Sequence, residues 1–381
     1  MEKIQMVDLK RQYKKIQEEV DKAVIDVVRS TQYINGPEVK EFQRELEEYL
    51  NVKNVIPCAN GTDALQVALM ALDLKPGAEV ITTSFTFVAT AEVISLLGLT
   101  PVLVDVHEDT FNIDPMEICR AITVRTKAIM PVHIFGQCAN MDEIMTIAKN
   151  HDLYVVEDNA QAIGADYVYS KNRRKKAGSI GHIGCTSFFP SKNLGCYGDG
   201  GAIFTNNKKL AEKIRSIVNH GMTVRYYHDH VGVNSRLDSI QAAILRIKLR
   251  HLDQYTKARV NAADYYDAAF KDNENLIIPE RSSYSTHVFH QYTLRTRNID
   301  RDKLQEYLAS KDIPAMIYYP VPLHMQKAYQ SFRYMQKEGD LPVTESLSKS
   351  VISLPMHTEL DKEQQDYIIS NVLDFVNKNS A

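Results

Sequence analysis

The chain has few cysteines, no long apolar run and no excess of charge of either sign, and each shortage removes a class of protein. Its five cysteines, Cys58, Cys119, Cys138, Cys185 and Cys196, are odd in number and show no CxxC or Cys/His ligand spacing. Neither a disulfide framework nor a structural metal site is expected from them. The longest apolar stretch, Val93 to Val104, is interrupted by Gly98 and Pro101 and is too short to cross a bilayer. Residues Met1 to Gln5 carry no apolar signal core, so a reduced, cytoplasmic, soluble protein is expected. The formal net charge of −3 gives no electrostatic reason for nucleic acid or an acidic membrane as partner. A basic run, Lys171 with Arg173 to Lys176, is the local exception and reads as a solvated loop tip. Internal repeats and low-complexity tracts are also missing.

What is present is an alternation. After two helical stretches parted by a turn at Asn35-Gly36-Pro37, short β-branched runs give way to amphipathic stretches. Val55 to Cys58, Glu79 to Thr82, Pro101 to Val106, Ala128 to Met130 and Leu153 to Val156 read as strands. The segments between them read as helices, from Thr62, over Val88 to Leu97, Asp114 to Ile122 and Met141 to Asn150. This βαβα rhythm predicts an α/β fold with a mostly parallel central sheet, whose ligands gather at the carboxyl ends of the strands. From Ser235 the spacing predicts one long helix to Phe270, then strands at Phe289 to Leu294 and Ala315 to Tyr319 around a helix at Arg301 to Ser310. A boundary inside or just after the long helix gives a large domain of residues 1–250 and a smaller α+β domain of residues 251–381.

Several segments carry chemistry. Ser187-Phe188-Phe189-Pro190-Ser191-Lys192-Asn193-Leu194-Gly195 is followed by Gly198-Asp199-Gly200-Gly201. A lysine between aromatic and glycine-rich stretches suits a Schiff-base amine, which must be partly desolvated and close to backbone that a flat cofactor can approach. Read alone, it is as well a surface lysine ahead of a hairpin. Tyr154-Val155-Val156-Glu157-Asp158 is an apolar strand ending in acids. Asp158 suits the protonated pyridine nitrogen of pyridoxal phosphate, or a magnesium ion in a nucleotide hydrolase. The second choice wants a GxxxxGK[ST] loop, which the chain lacks. Asn60-Gly61-Thr62-Asp63 is either an anion site at a helix start or a plain N-cap. Phe87 stacks on a planar ring or packs in a core. Asn234-Ser235-Arg236-Leu237-Asp238 leads into the long helix, and Tyr318-Tyr319-Pro320-Val321-Pro322-Leu323-His324 is a proline turn that is structural or brings hydroxyls to a substrate.

Together these blocks resemble the DegT/DnrJ/EryC1/StrS family of sugar-nucleotide aminotransferases over nearly the whole chain. The blocks are Val7 to Lys10, Gly61 to Leu65, Ser84 to Ala91, Glu157 to Gln161, Ser187 to Lys192 and Asn234 to Asp238. The resemblance implies an aspartate-aminotransferase-like fold (fold type I) and a homodimer with shared active sites. It implies pyridoxal 5'-phosphate as cofactor, alternating with pyridoxamine phosphate. By the same resemblance Lys192 bonds the cofactor, Asp158 pairs with its ring nitrogen, Gln161 lies beside its phenolic oxygen and Phe87 stacks on the ring. Gly61, Thr62 and Ser187 bind its phosphate with Asn234 of the other subunit. Arg236, Tyr318, Tyr319 and His324 are the substrate candidates. One branch of the family has histidine in place of the lysine and dehydrates its substrate; Lys192 points to transamination. The partners implied are L-glutamate and a nucleotide-linked keto-sugar. The Tyr318 to His324 turn and Arg225-Tyr226-Tyr227-His228 look most like members acting on 3-keto sugars. A dTDP- or UDP-linked 6-deoxy-3-keto-hexose is expected, with a 4-keto sugar as competitor and a non-catalytic regulator of the same fold as the other reading.

Overall fold

The computed structural model describes residues 2–170, 173–329 and 337–379. Two helices open the chain, α1 (Leu9–Ser30) and α2 (Pro37–Leu50). The Asp8 carboxylate caps α1 by accepting from Arg11 N, and Pro37 starts α2, where its missing N–H costs nothing. Strands and helices then alternate as β1 (Asn54–Cys58), α3 (Gly61–Ala71), β2 (Glu79–Thr83), α4 (Ala89–Leu96), β3 (Thr100–Val104), α5 (Pro115–Ala121), β4 (Thr126–Met130), α6 (Met141–Asn150) and β5 (Tyr154–Asp158). A hairpin of β6 (Asp166–Ser170) and β7 (Arg173–Lys176) precedes β8 (Ile183–Ser187), β9 (Gly201–Thr205) and α7 (Lys208–Ile217). A smaller hairpin, β10 (Met222–Val224) with β11 (Tyr227–His228), leads to α8 (Ser239–Arg250) and α9 (Leu252–Phe270). The chain continues through β12 (Leu276–Ile277), β13 (Tyr292–Thr296), α10 (Arg301–Ser310), α11 (Pro342–Ser350), β14 (Val351–Leu354) and α12 (Lys362–Asn379).

The central sheet has the order β1-β9-β8-β5-β4-β2-β3, and β9 alone runs against the rest. Its strands are buried on both faces, as near-continuous apolar runs require. Val80, Ala128, Met130 and Val156 pack on α3 and α4, while Ile81, Ile129 and Val155 pack on the opposite side against Ile118, Met141 and Ile144. One residue of register therefore separates two cores. A third core joins α9, α10 and α12 to β13 and β14, and Ile4 from the N-terminal segment packs into it. Among the described residues no helix is long and apolar enough to cross a membrane.

Three expectations are corrected. The helix expected from Ser235 to Phe270 is two helices, broken at His251. No proline or glycine marks the break; α8 packs on α1 and α2 while α9 packs on α12, so a change of partner ends one helix and starts the next. The strand expected at Ala315 to Tyr319 is reduced to one bridge between Met316 and Ser353, and the preceding strand lies later, at Tyr292–Thr296. The basic run is no loop tip. Lys171 falls outside the described residues, and Arg173 to Lys176 form β7, where Lys176 pairs with Asp166 at 3.0 Å and Arg173 covers the Tyr169 ring.

Candidate active site

The sheet topology brings the expected residues to one edge. Cys58 at the end of β1 and Ser187 at the end of β8 both pair with Gly201, and Asp158 at the end of β5 pairs with Cys185. The start of α3 therefore lies against Ser187: a Cβ on Gly61 would stand 2.6 Å from Ser187 Cβ. Gly201 is tight for the same reason, its missing Cβ lying 2.4 Å from the Asn60 carbonyl oxygen. Gly198, Gly200 and Gly201 all have ordinary φ, so this glycine-rich stretch serves close approach and not a left-handed turn. Asn60 caps α3, accepting from Asp63 N at 2.8 Å, and the first N–H groups of the helix remain for an anion. Ser235, buried in the segment before α8, accepts from Ala59 N at 3.1 Å and fixes this turn from below.

Lys192 follows the Phe189 to Ser191 turn, its own N–H donating to the Phe189 carbonyl at 2.8 Å. Burial lowers its amine from 10.5 to about 8, and the nearby Asp158 carboxylate opposes that shift. About a tenth of the amine is therefore unprotonated at pH 7, against well under a thousandth for a free lysine, and a nucleophile needs that form. Asp158 is itself buried, which raises its pKa, while hydrogen bonds from Ala160 N and Thr90 and the charge of Lys192 pull it back. Thr90 Oγ1 donates to Oδ2 at 2.9 Å and Ala160 N to Oδ1 at 3.1 Å, so both oxygens are oriented. Thr86 Oγ1 lies 3.3 Å from Thr90 Oγ1 and extends the chain of hydroxyls.

Gln161 is fixed at both ends of its amide. Its Oε1 accepts from Phe135 N at 2.8 Å and its Nε2 donates to the Tyr319 hydroxyl at 3.1 Å. Tyr319 and Tyr318 pack with Phe85, Phe111 and Phe135. Phe87 is exposed at the head of α4, an uncovered aromatic face beside the strand ends. Asn234 is exposed, and Arg236 reaches Asn219 Oδ1 at 3.5 Å. The hairpin bearing Arg225, Tyr226, Tyr227 and His228 projects into solvent. His324 departs from expectation. It is buried, with Nδ1 2.8 Å from Ser84 Oγ and Nε2 3.2 Å from Glu345 Oε1, so both ring nitrogens are spent on the protein and it braces the turn instead of reaching a substrate.

Sequence reading missed three residues. Thr90 lies inside the Ser84 to Ala91 block, four residues after Thr86 on the turn that opens α4, and that spacing was its signal. His133 is buried beside Asp158, its N–H donating to the Asp158 carbonyl at 3.0 Å. Its ring links Ala139 N to Glu157 Oε2 at 2.8 Å. His290, buried and within the field of Lys192, comes from a segment about 100 residues away in sequence, where no local pattern marks it.

These groups fit one cofactor. The amine of Lys192 suits an aldehyde, the anchored carboxylate of Asp158 suits a ring nitrogen, and the open start of α3 pressed on Ser187 suits a phosphate. Phe87 offers the stacking face. That combination, on a mostly parallel sheet with one reversed strand, defines a pyridoxal-phosphate enzyme of the aspartate-aminotransferase-like fold. More narrowly, the chain belongs to the DegT/DnrJ/EryC1/StrS aminotransferase family, whose model matches residues 14–373.

Its relatives carry names of two kinds, regulatory protein and sugar aminotransferase. A Geobacillus stearothermophilus protein named a pleiotropic regulatory protein is 46% identical over 98% of both chains. The Pseudomonas aeruginosa UDP-2-acetamido-2-deoxy-3-oxo-D-glucuronate aminotransferase is 45% identical, over 94% of this chain and 96% of its own. Among solved structures, Streptomyces venezuelae DesV in complex with a ketimine intermediate superposes with a TM-score of 0.93, at 39% identity over 98% of both chains. Bacillus subtilis NtdA with bound pyridoxamine phosphate gives 0.90, at 31% identity over 99% of this chain and 86% of that one.

Proposed function

We propose that this enzyme moves the amino group of L-glutamate to C3 of a keto-hexose carried on dTDP or UDP, working as a homodimer. The observation that carries this reading is the buried Lys192 amine, lowered to about 8 and set in the field of Asp158 at the carboxyl edge of the sheet. Bound there, pyridoxal phosphate supplies the aldehyde and the electron-withdrawing ring. The chain's part is to hold and to move protons. Lys192, released by the incoming donor, takes a proton from the donor's Cα and later returns one at the sugar carbon, which is why an amine near neutrality serves in both directions. Asp158, fixed by Thr90 and Ala160 N, stays ionised against a protonated ring nitrogen. Gln161, clamped between Phe135 N and Tyr319, meets the phenolic oxygen. Gly61, Thr62 and Ser187 take the phosphate, and the exposed Asn234 of a second subunit completes that cradle.

Support for the 3-keto position comes from the Pseudomonas aeruginosa relative, whose name specifies a 3-oxo sugar. That sugar is a uronate. In this chain the first position of the proline turn is Tyr318, a neutral phenol that brings no charge for a C6 carboxylate, which favours an unoxidised C6. Exposed Tyr226 and Tyr227 beside Arg225 give the nucleotide an aromatic and cationic surface.

The test is direct. Holoenzyme is mixed with L-glutamate and a panel of dTDP- and UDP-linked 3-keto and 4-keto hexoses, and products are read by mass spectrometry and NMR. An amine at C3 is expected. Amination of 4-keto sugars alone overturns the assignment of position. The regulator reading, raised by the Geobacillus stearothermophilus relative's name, wins if the protein binds cofactor on Lys192 and L-glutamate leaves the yellow absorbance unchanged.

A further inference from the structure

A second cluster of buried polar residues lies away from the sheet edge, where α1, α8 and α9 meet the chain between Met356 and Glu359. Lys248 lies near the end of α8, and Tyr255 and Arg259, four residues apart, share one side of α9 beyond the break at His251. Lys248 is 1% exposed, Arg259 3%, His357 2% and Tyr255 8%. Such burial is rare for an unpaired cation, and here there are two.

The cluster is also where hydrogen bonding is least complete. Twelve buried side-chain polar atoms of the described residues have no hydrogen-bond partner, and five belong to this cluster: Arg259 Nε, His357 Nε2, Gln12 Oε1 and the hydroxyls of Tyr197 and Tyr255. A folded chain satisfies nearly all such atoms, so a concentration of them marks a missing partner. Four of the five can donate. Arg259 Nε is only a donor, its Nη1 already serving the carbonyls of Phe289 at 3.0 Å and Met356 at 2.9 Å. His357 Nδ1 accepts from Glu359 N at 3.2 Å, which leaves Nε2 to carry the hydrogen. Both phenols can donate. Lys248 Nζ lies 5.2 Å from the centre of the Tyr197 ring, which sets Tyr197 beside this charge. The one acceptor, Gln12 Oε1, lies on an amide whose nitrogen donates to Thr358. Carboxylates act on the phenols and the imidazole, Glu359 and Glu19 on Tyr255, Asp21 on Tyr197, and Asp8 and Asp361 on His357; Glu359 is held by Lys15 Nζ at 2.6 Å and the Thr358 hydroxyl at 3.0 Å. Burial pushes Lys248 down to about 8 and Arg259 to about 10, and the charge of Arg259 adds to the first shift.

We propose that this cluster binds a monovalent inorganic anion of halide size, seated between Lys248 and Arg259 and hydrogen-bonded by the hydroxyls of Tyr197 and Tyr255. A water molecule would satisfy the donors but leave two buried positive charges uncompensated; an anion does both. A spherical ion also makes no demand on the directions in which five different groups point. The site bears on the active site through one shared residue. Arg259 Nη1 also holds the carbonyl of His290, at 3.4 Å, and the His290 ring stands in the field of Lys192.

The test uses the pyridoxal-phosphate-loaded protein. Crystals soaked in bromide are expected to show an anomalous peak between Lys248 Nζ and Arg259 Nε. In solution, replacing gluconate by chloride at constant ionic strength raises the unfolding midpoint by about 2–4 °C once chloride stands about a hundredfold above its dissociation constant. Tyr255→Phe weakens the chloride affinity about five- to tenfold while keeping both cations. Lys248→Met abolishes the chloride effect; should it fail to fold, the bromide map and Tyr255→Phe decide. No anomalous peak, with midpoints equal in the two salts, overturns the proposal.

Discussion

Lys192 and Lys248 invite comparison. Burial lowers each amine from 10.5 to about 8. Each stands close to an aromatic residue and to a cysteine- or glycine-bearing turn. Their settings divide them. Lys192 sits at the carboxyl edge of the sheet, half-buried, with the Asp158 carboxylate facing it and the start of α3 open nearby. Lys248 sits inside a helix, sealed by Tyr197, with a second cation as its neighbour. A lowered amine pKa therefore does not make a catalytic lysine. Access for a ligand, a carboxylate to receive the other end of it and an anion cradle nearby make one, and the topology brings all three to the carboxyl edge of the sheet.

Replacing each lysine breaks the comparison most sharply. Lys192→Ala is expected to lower kcat for transamination by about four orders of magnitude, the scale of a proton-transfer group, with the fold kept. Lys248→Met is expected to leave kcat per folded site within about threefold, since nothing places that amine at the reaction. Single-turnover assays on both variants, normalised to bound cofactor, decide. Retained turnover in Lys192→Ala, or its loss in well-folded Lys248→Met, would mean that the wrong lysine has been given the chemistry.

The lowered amine also has a stability signature with a definite sign. The folded protein gives up the Lys192 proton near pH 8, whereas the unfolded chain keeps it until about 10.5. Between those values the unfolded state binds more protons, so folding gains stability as pH rises. Cofactor-free wild-type protein is therefore expected to gain up to about 3 kcal/mol on the Lys192→Met variant between pH 8 and 10.5, and nothing further below pH 7. Parallel denaturant titrations at several pH values check it. A difference independent of pH would show that this amine is not perturbed by its burial.

Much of this was legible in the sequence, and what was not has physical reasons. Apolar strands with polar ends announced the sheet, because a strand buried on both faces has no alternation to hide. Lys192, Asp158, Gly61 and Ser187 were legible because each chemistry requires a particular residue at a strand end or helix start. The break at His251 was not, since it follows from a change of packing partner and leaves no proline or glycine behind. His324 misled because a histidine beside two tyrosines resembles a substrate contact, whereas Ser84 and Glu345 occupy both its nitrogens. Lys248 was passed over altogether. A lysine among isoleucines and leucines of an amphipathic helix reads as surface, and only the packing of α1 and Tyr197 shows that it is interior.

The cradle gives a smaller and more local contrast between the two regions. At Gly61 an added methyl group would stand 2.6 Å from Ser187 Cβ, so either the helix start or the serine must move. Gly61→Ala is expected to weaken cofactor binding about tenfold, the cost of modest overpacking, while leaving the Lys248 cluster and its chloride response untouched. Fluorescence titration of cofactor-free protein with pyridoxal phosphate measures the first, and thermal unfolding in the two salts the second. Unchanged affinity would remove the start of α3 from the phosphate site.

The smallest expected effect falls on Tyr319, and it separates packing from hydrogen bonding. Its ring meets Phe85 edge-on at 6.0 Å, while its hydroxyl accepts from Gln161 Nε2 at 3.1 Å. Tyr319→Phe keeps the ring and removes the acceptor. Gln161 then retains only the bond from Phe135 N to its Oε1, and its amide nitrogen is free to turn from the position that meets the cofactor. One neutral hydrogen bond is worth about 1 kcal/mol, so kcat/KM should fall about fivefold, with the unfolding midpoint nearly constant because the aromatic cluster survives. Tyr319→Leu, which loses the ring as well, should lower the midpoint too. Should Tyr319→Phe match the wild type while Tyr319→Leu alone is impaired, the hydroxyl has no part in holding Gln161, and the site is aligned by its aromatic wall.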